Sequence, residues 1–206
     1  MIIILCEGQT EERFIKEIIV PAYPMLYIVP KIIMTKGGKK GGSVHYTDFL
    51  KQIKNILANT QITLLLTMFD LAGIPSSWWN NITNKCPKSI NNKIRQDIND
   101  SRVYPLWMIY EFEIIAFIAP QTSGQVLGKQ YIASLEKVLK NHQHKPEAIN
   151  DNNYPSKHLE RICGKHGYQK TIDGIQIAKR LNLEQMKTTN SFARLFEKLN
   201  EQNQMK

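Results

Sequence analysis

The chain has 206 residues, of which 42% are hydrophobic and 22% are charged, and this composition is typical of a folded globular protein rather than a disordered chain. No apolar run approaches the roughly 18–20 residues of a membrane span, and the first apolar segment lacks the basic flank of a signal peptide. The three cysteines form no C-x-x-C pair, which argues against a disulfide framework and a structural zinc site, so we expect a cytoplasmic protein.

The charge balance is basic. Lysine and arginine together number 27 against 18 acidic residues, a net charge of +9. Such an excess favours a polyanionic partner, above all nucleic acid. A basic protein without such a partner is the alternative, and composition alone leaves it open.

Apolar runs alternate with helical stripes in the first half of the chain. They predict a buried strand at 2–5, a helix capped by Thr10 and ended by Pro21, a strand at 27–34, a helix at 48–57 and a buried strand at 62–69.

The second half becomes mostly helical. The pattern predicts a helix at 90–98, a strand at 104–110 and an apolar helix at 114–118. Five more helices follow: one at 132–139, a short one capped by Ser156, and three at 174–181, 183–188 and 192–199. Strands that alternate with helices predict an α/β fold, with a mostly parallel sheet of about four strands flanked by helices. We expect an α/β domain over 1–125 and a helical C-terminal extension over 126–206 that packs on the same core.

Acidic residues follow three of the predicted strands. Glu7 comes after the first strand, Asp70 after the third, and Glu111 with Glu113 after the fourth, while Glu11 lies one turn into the first helix. Because the carboxyl ends of parallel strands share one edge of a sheet, we expect these side chains to converge there. Carboxylates at such range repel one another unless bound cations neutralise them or their pKa values are strongly raised. Because oxygen ligands suit Mg²⁺ or Mn²⁺, the pattern predicts a site for one of these ions. In the alternative, each acid caps a helix or pairs with a lysine.

A loop rich in glycine and lysine follows the second predicted strand. Its residues Lys36, Lys39 and Lys40 are candidates for contacts with a nucleic-acid backbone, and its glycines would allow close approach. A flexible connection is the alternative. Trp78 and Trp79 favour packing in a core or interface over stacking on bases.

The acidic segments resemble those of a known family. The segment 6–14, with Glu7-Gly8 at a strand end and Glu11 in the helix, looks like the opening of Toprim-like proteins. The chain is similar to a bacterial Toprim-like family labelled domain of unknown function 4276, which is related to the nuclease domain of overcoming-lysogenization-defect proteins. The similar segments continue at 40–43, 67–75, 110–113, 145–150 and 155–157.

The resemblance implies a Toprim-like fold with an acidic site for one or two metal ions and a Mg²⁺- or Mn²⁺-dependent endonuclease. Glu7, Glu11 and Asp70 are the candidate catalytic acids. Glu7 and Asp70 would hold the main ion, and Glu11 with one of Glu111 or Glu113 would complete its shell or place a second ion. Lys157 is a candidate for stabilising charge on the scissile phosphate, or else an exposed lysine at a helix start.

The resemblance also implies a biological setting. Relatives are often encoded beside an ATPase of the ABC or AAA type in suspected anti-phage loci, so we expect an effector of a two-component defence system that is toxic when active. One alternative is an inactive module that binds nucleic acid or docks onto an ATPase. Another is that the acidic edge acts on a nucleotide or another phosphorylated small molecule. The segment Asp70-Leu71-Ala72 lacks the second acid of the usual Asp-x-Asp. We expect no membrane association, and homo-oligomerisation is left open.

Overall fold

The computed structural model describes residues 1–109, 111–149, 154–165 and 167–204. The chain divides into two compact units, the first ending at Trp107 and the second beginning at Met108. The predicted division at residue 125, with the extension packed on the same core, stays a prediction.

The first unit is built on a parallel sheet, which confirms the predicted fold class. The strands are β1 (Ile2–Cys6), β2 (Ile28–Ile32), β3 (Leu64–Asp70), β4 (Val103–Tyr104) and β5 (Trp107–Met108). They run in the order β2-β1-β3-β4, and β5, where the unit ends, also pairs with β3. The three pairs β1–β2, β1–β3 and β3–β4 are all parallel.

Helices flank the sheet and make up most of the second unit. In the first unit they are α1 (Gln9–Phe14), α2 (Val20–Ala22), α3 (Tyr46–Leu57) and α4 (Pro87–Ile98). In the second they are α5 (Ile115–Ile118), α6 (Pro120–Leu127), α7 (Ile132–Asn141), α8 (Pro155–Cys163), α9 (Ile175–Arg180), α10 (Leu183–Met186) and α11 (Asn190–Gln204).

The first helix differs from its prediction mainly at its start. Gly8, not Thr10, is the N-cap, and Thr10 is buried within the first turn. The helix ends at Ala22, one residue past the predicted end at Pro21, and a π-helical turn (Ile15–Ile19) joins α1 to α2. In this turn the Val20 amide donates to the Ile15 carbonyl, five residues back, instead of to a carbonyl four residues back as in an α-helix. The hydrogen-bond pattern of the helix therefore changes just before Pro21, which has no N–H to donate.

The predicted strand at 104–110 is wrong in its extent, because it is broken into β4 and β5 around Pro105. Proline has no N–H to offer a ladder. At the break, the buried Thr67 hydroxyl donates to the Leu106 carbonyl (2.9 Å) and accepts from the Leu106 amide (3.0 Å). The Thr67 side chain thus supplies hydrogen bonds to both the N–H and the C=O of Leu106, which have no strand partner among the described residues at the break. Tyr110 lies outside the described residues.

Apolar side chains from one face of the sheet, from α3 and from α4 form the core of the first unit. The sheet contributes Ile3, Leu5 and Leu65, each at most 4% exposed. The two helices add their buried stripes, Phe49, Ile53, Ile56, Leu57, Ile90, Ile94 and Ile98. This core holds α3 and α4 side by side on the same face.

The second unit is packed around aromatic side chains. Phe112 and Phe192 meet edge to face with ring centroids 6.3 Å apart, and Phe117 and Phe196 are also fully buried. The N-cap of α8 is Tyr154 rather than the predicted Ser156, which lies inside the first turn. Within the described residues, no helix is long and apolar enough to cross a bilayer.

Candidate functional site

The carboxyl ends of β1 and β3 mark the point where the connections of the sheet diverge. From β1 the chain passes to β2 on one side, and from β2 it crosses back to β3 on the other side of β1. With right-handed crossovers, the helices of these two connections lie on opposite faces, which opens a crevice between the ends of β1 and β3. Ligands of open α/β sheets bind at such a crevice.

Glu7 and Asp70 stand at this crevice, as the sequence predicts. Cys6 is in register with Met68 as the last pair of β1 and β3, so Glu7 lies one residue beyond this pair and Asp70, the final residue of β3, lies two residues beyond it. The Asp70 amide donates to Glu7 Oε2 at 3.1 Å, and the Glu7 amide donates to the Met68 carbonyl at 3.2 Å. The side chain of the first acid is therefore held against the main chain of the second.

A small cavity of about 10 Å³ opens beside the two acids, roughly the room of a single water-sized sphere. Its walls combine polar and apolar groups: Glu7, Gly42, Ser43, Val44, Phe69, Asp70, Gly73, Ile74, Pro75 and Trp78. A Cβ on Gly73 would lie 3.3 Å from Glu7 Oε1, so glycine keeps the space next to the carboxylate free. Nothing in the local sequence marks Gly73 as a site residue, because it comes close to Glu7 only when β1 and β3 are paired.

The loop rich in glycine and lysine is fastened over Glu7. The Gly42 amide donates to the Glu7 carbonyl at 3.2 Å, and a Cβ on Gly41, which has φ +83°, would come within 3.0 Å of the same oxygen. The Gln52 side chain both donates to and accepts from the Met34 main chain at 2.8 Å. The loop is thus tied to the sheet and to α3.

Two lysines of this loop lie on its solvent side. Lys39 and Lys40 are exposed. The side chain of Lys36 lies outside the described part of the structure.

Glu11 is buried on the α1 side of the strand end. It is 3% exposed, and its Oε2 lies 3.3 Å from the place where a Cβ on Gly8 would stand. Burial raises the pKa of the neighbouring Cys6 thiol, and the Glu11 carboxylate raises it further. Cys6 is therefore a neutral core thiol, and Glu11 approaches the β1 end from the helix, as predicted.

Glu111, in the second unit, fastens the start of α8. Its two carboxylate oxygens accept from the Ser156 amide (2.8 Å) and from the Ser156 hydroxyl (3.0 Å). A carboxylate at the start of a helix is stabilised by the helix dipole as well as by these bonds. The arrangement matches the alternative from the sequence, in which an acid caps a helix.

Glu113 is buried, with 7% of its surface exposed. Lys170 Nζ lies 3.2 Å from its Oε2 and forms an ion pair. Burial raises the pKa of Glu113, the Lys170 ammonium opposes this rise, and the charge of Glu111 adds to it. Lys170 was not anticipated, because it is 57 positions along the chain from Glu113.

A third carboxylate of the second unit, Glu147, holds the start of α11. Glu147 Oε1 accepts from the Ser191 amide (2.8 Å) and hydroxyl (2.9 Å), and the Ser191 oxygen accepts from the Ile109 amide (2.9 Å). The chain just before Glu111 is thereby anchored by a buried serine. Glu147 belongs to the segment 145–150 that carries part of the family resemblance.

Lys157, predicted to be catalytic, is exposed on α8. Its Nζ forms an ion pair with Glu160 at 2.8 Å, one turn further along the helix. This hydrogen bond is the main reason why the pKa of Lys157 is raised.

The donor set at the crevice suits a hard, partly hydrated cation. Across residues 1–109, 111–149, 154–165 and 167–204, no three His, Cys, Asp or Glu side chains are gathered closely enough to hold a metal ion by themselves. Glu7 and Asp70 supply two carboxylates beside a space kept open by Gly73. Mg²⁺ is commonly bound by one or two carboxylates while it keeps its waters or takes phosphate oxygens, so the residues present fit this ion.

Trp78 belongs to the wall of the cavity and to the core. It is 1% exposed, its indole N–H donates to the Val44 carbonyl at 2.9 Å, and its ring lies 4.5 Å from that of Phe49. The preference for core packing over base stacking is confirmed for Trp78. Trp79 is partly buried.

Comparisons with known proteins agree with this architecture. The sequence matches the family described as a domain of unknown function, DUF4276, over residues 6–200. Among solved structures, the C-terminal region of the Xanthomonas campestris pv. campestris OLD protein is similar, with a TM-score of 0.50 and 14% sequence identity over 99% of this chain and 96% of that one. No curated protein matches. At this identity, the structural likeness concerns the fold.

Proposed function

The chain belongs to the DUF4276 family, and we propose that it is a metal-dependent nuclease that hydrolyses phosphodiester bonds of DNA or RNA. The observation that carries this proposal is that Glu7 and Asp70 line one cavity at the neighbouring carboxyl ends of β1 and β3, where the Asp70 amide donates to the Glu7 carboxylate. The resemblance to overcoming-lysogenization-defect nucleases and the basic charge of the chain support the same reaction class.

In this proposal, Glu7 and Asp70 hold Mg²⁺ or Mn²⁺, and Glu11 approaches from α1 to complete the ligand shell or to orient a water. A bound divalent cation neutralises charge on the phosphate and lowers the pKa of its bound water. The Asp70 amide keeps Glu7 in place before the cation arrives, so little reorganisation is required.

The structure favours the loop lysines as functional residues more than it favours Glu111, Glu113 and Lys157. Lys39 and Lys40 are exposed on a loop that is fastened to Glu7, which suits contacts with a phosphate backbone. Glu111 and Glu113 as further ligands would have to leave Ser156 and Lys170, and Lys157 would have to leave Glu160. We therefore assign the main role to the first unit.

Cleavage assays test the proposal directly. Supercoiled plasmid and single-stranded RNA are incubated with wild-type protein, with Glu7→Gln and with Asp70→Asn, in millimolar Mg²⁺ or Mn²⁺ and in chelator. We expect cleavage only with metal, and a loss of about 100-fold or more in both variants. Glu17→Gln is the matched control, because this carboxylate is paired with Arg13 on the surface of the same unit. Wild-type cleavage by both acid variants would overturn the assignment.

A second candidate function is an inactive module that binds nucleic acid or docks onto an ATPase. The observation that favours it is the shortage of acids: no three-acid group is found among the described residues, and Ala72 stands where a second aspartate is usual. Metal-independent nucleic-acid affinity without turnover, unchanged in Glu7→Gln, would identify this module.

The proposed setting is a two-component anti-phage system in the cytoplasm, with an ABC- or AAA-type ATPase as partner. It rests on the family resemblance. Co-expression with the neighbouring ATPase gene should give toxicity or phage protection that Glu7→Gln abolishes. If both acid substitutions leave the phenotype intact, the nuclease reaction is not the effector step. Light scattering on the purified protein measures its oligomeric state.

A further inference from the structure

We infer that the outward faces of α3 and α4 form a track for a nucleic-acid backbone that continues from the loop rich in glycine and lysine. This inference rests on the proposed function, because it locates the path of the substrate next to the proposed cleavage site. It concerns residues outside the site described above.

The two helices present their polar faces on the same side of the first unit. Their apolar stripes are buried in one core over one face of the sheet, and Tyr46 of α3 donates to Asp97 of α4 at 2.7 Å. Each polar face carries exposed basic and amide or hydroxyl side chains at helical spacing. On α3 these are Thr47, Lys51 and Lys54, and on α4 they are Lys88, Asn92, Arg95 and Asn99 at its end.

The cations of this surface form no ion pair in the described part of the chain, although Lys54 is close enough to Asp97 to help lower the pKa of that carboxyl. Among the described residues, no carboxylate lies within ion-pair distance of Lys51, Lys54, Lys88 or Arg95, and the same holds for Lys39 and Lys40 in the loop. The guanidinium of Arg95 is stacked over the Tyr104 ring at 4.9 Å.

The exposed acid of this layer, Asp97, is already engaged. It accepts from the Tyr46 hydroxyl and from Lys93 Nζ, which lies at 3.2 Å. The surface of α1 and the π-helical turn differs, because its cations are neutralised in place: Arg13 pairs with Glu17 and Lys16 with Glu12, both at 2.8 Å.

Unpaired cations held on two packed helices repel one another, and a polyanion relieves that repulsion. Continuity with the loop favours a nucleic acid over other polyanions, since α3 begins at Tyr46, three residues after the loop that is fastened to Glu7. The 12 residues of α3 extend over about 18 Å, the length of about five phosphates of one strand of B-DNA. Lysine, arginine, asparagine and threonine are the side chains that commonly contact phosphate oxygens.

Salt-dependent binding tests the track without requiring cleavage. A fluorescent 20-base-pair duplex and the corresponding single strand are titrated with full-length protein in chelator, over a series of salt concentrations. The variants are Lys51→Gln/Lys54→Gln and Lys88→Gln/Arg95→Gln. We expect each to reduce the slope of log K against log salt by about 2 and to weaken binding at 0.1 M salt by at least about 10-fold.

The control removes the same number of charges elsewhere. Arg13→Gln/Lys16→Gln lowers the net charge equally but takes away cations that are already paired, so the slope should stay near the wild-type value. The charge-conserving variant Lys51→Arg/Lys54→Arg should retain wild-type binding, which separates lost contacts from misfolding. Slopes in both test variants that match the control would overturn the track.

The binding and cleavage outcomes can be separated. A reduced slope together with no metal-dependent cleavage supports the track and refutes the nuclease, whereas normal cleavage with an unchanged slope refutes the track alone. Vesicles of phosphatidylserine and phosphatidylcholine serve as a second polyanion. If the two test variants lose vesicle binding while duplex and single-strand binding persist, the surface is for membranes and the inference fails.

Discussion

Trp78 connects the cavity beside Glu7 to the core of the first unit, so its replacement by phenylalanine has a calculable effect. In Trp78→Phe the indole N–H is lost, and the Val44 carbonyl, on a residue that is 6% exposed, loses its donor. The smaller ring also leaves a void against Phe49 and Trp107, whose rings lie 4.5 and 6.2 Å away.

Two contributions give the expected size of the effect. An unsatisfied buried carbonyl costs about 1–3 kcal/mol, and the void left by the lost ring atoms costs about 1–2 kcal/mol. We therefore expect the free energy of unfolding to fall by about 2–5 kcal/mol and the melting temperature by roughly 4–20 °C.

Urea unfolding followed by circular dichroism measures this change. Trp79→Phe is the matched control, because Trp79 is the adjacent residue and is only partly buried. It should change the free energy of unfolding by less than about 1 kcal/mol. Equal effects of the two variants, or a loss below about 1 kcal/mol in Trp78→Phe, would refute the reasoning that the indole is a hydrogen-bonded core element.

Three further predictions concern the site and its supports. We expect millimolar Mn²⁺ to raise the melting temperature of the wild-type protein. Gly73→Ala places a Cβ 3.3 Å from Glu7 Oε1 and should shrink that rise, with little effect in chelator. Tyr46→Phe removes the main cause of the lowered pKa of Asp97. A lowered carboxyl pKa stabilises the fold above the ordinary value of 3.8 and loses that effect as the pH falls. Wild type and variant should therefore differ by up to about 1 kcal/mol at pH 7 and converge below about pH 4 in urea titrations. Ser191→Ala removes the hydroxyl between Glu147 and the Ile109 amide and should cost about 1–3 kcal/mol by the same method, while Ser191→Thr should restore most of it.

The parts of the fold that follow from local pattern were predictable. β1 and β3 are continuous apolar runs, so their strand character and burial follow from sequence alone, and the acids that end them were placed correctly at the edge of the sheet. The errors arise where a distant group intervenes. Pro105 indicates a break in the fourth strand. The hydroxyl that bonds the Leu106 main chain at this break belongs to Thr67, which is 38 positions away from Pro105 and cannot be identified from local sequence.

The same distinction applies to the candidate site. Glu7 and Asp70 were found because strand ends share an edge in any parallel sheet. The partners of Glu111 and Glu113 were not found, because Ser156 and Lys170 approach them only through tertiary packing. The end of the first helix does follow from local sequence, since the helix stops at Ala22, one residue past Pro21.

The position of β2 has a consequence for how copies of this protein meet. β2 is at one edge of the sheet, and its sequence places Pro30 and the exposed Lys31 in the strand. Proline supplies no N–H to a neighbouring chain, and a lysine on an edge strand opposes the approach of another basic molecule. Pairing of β2 with the β2 strand of a second copy is thus unfavourable at this edge, even in concentrated solution. An oligomer, if one forms, would be held together there by side-chain packing instead of a sheet shared between subunits.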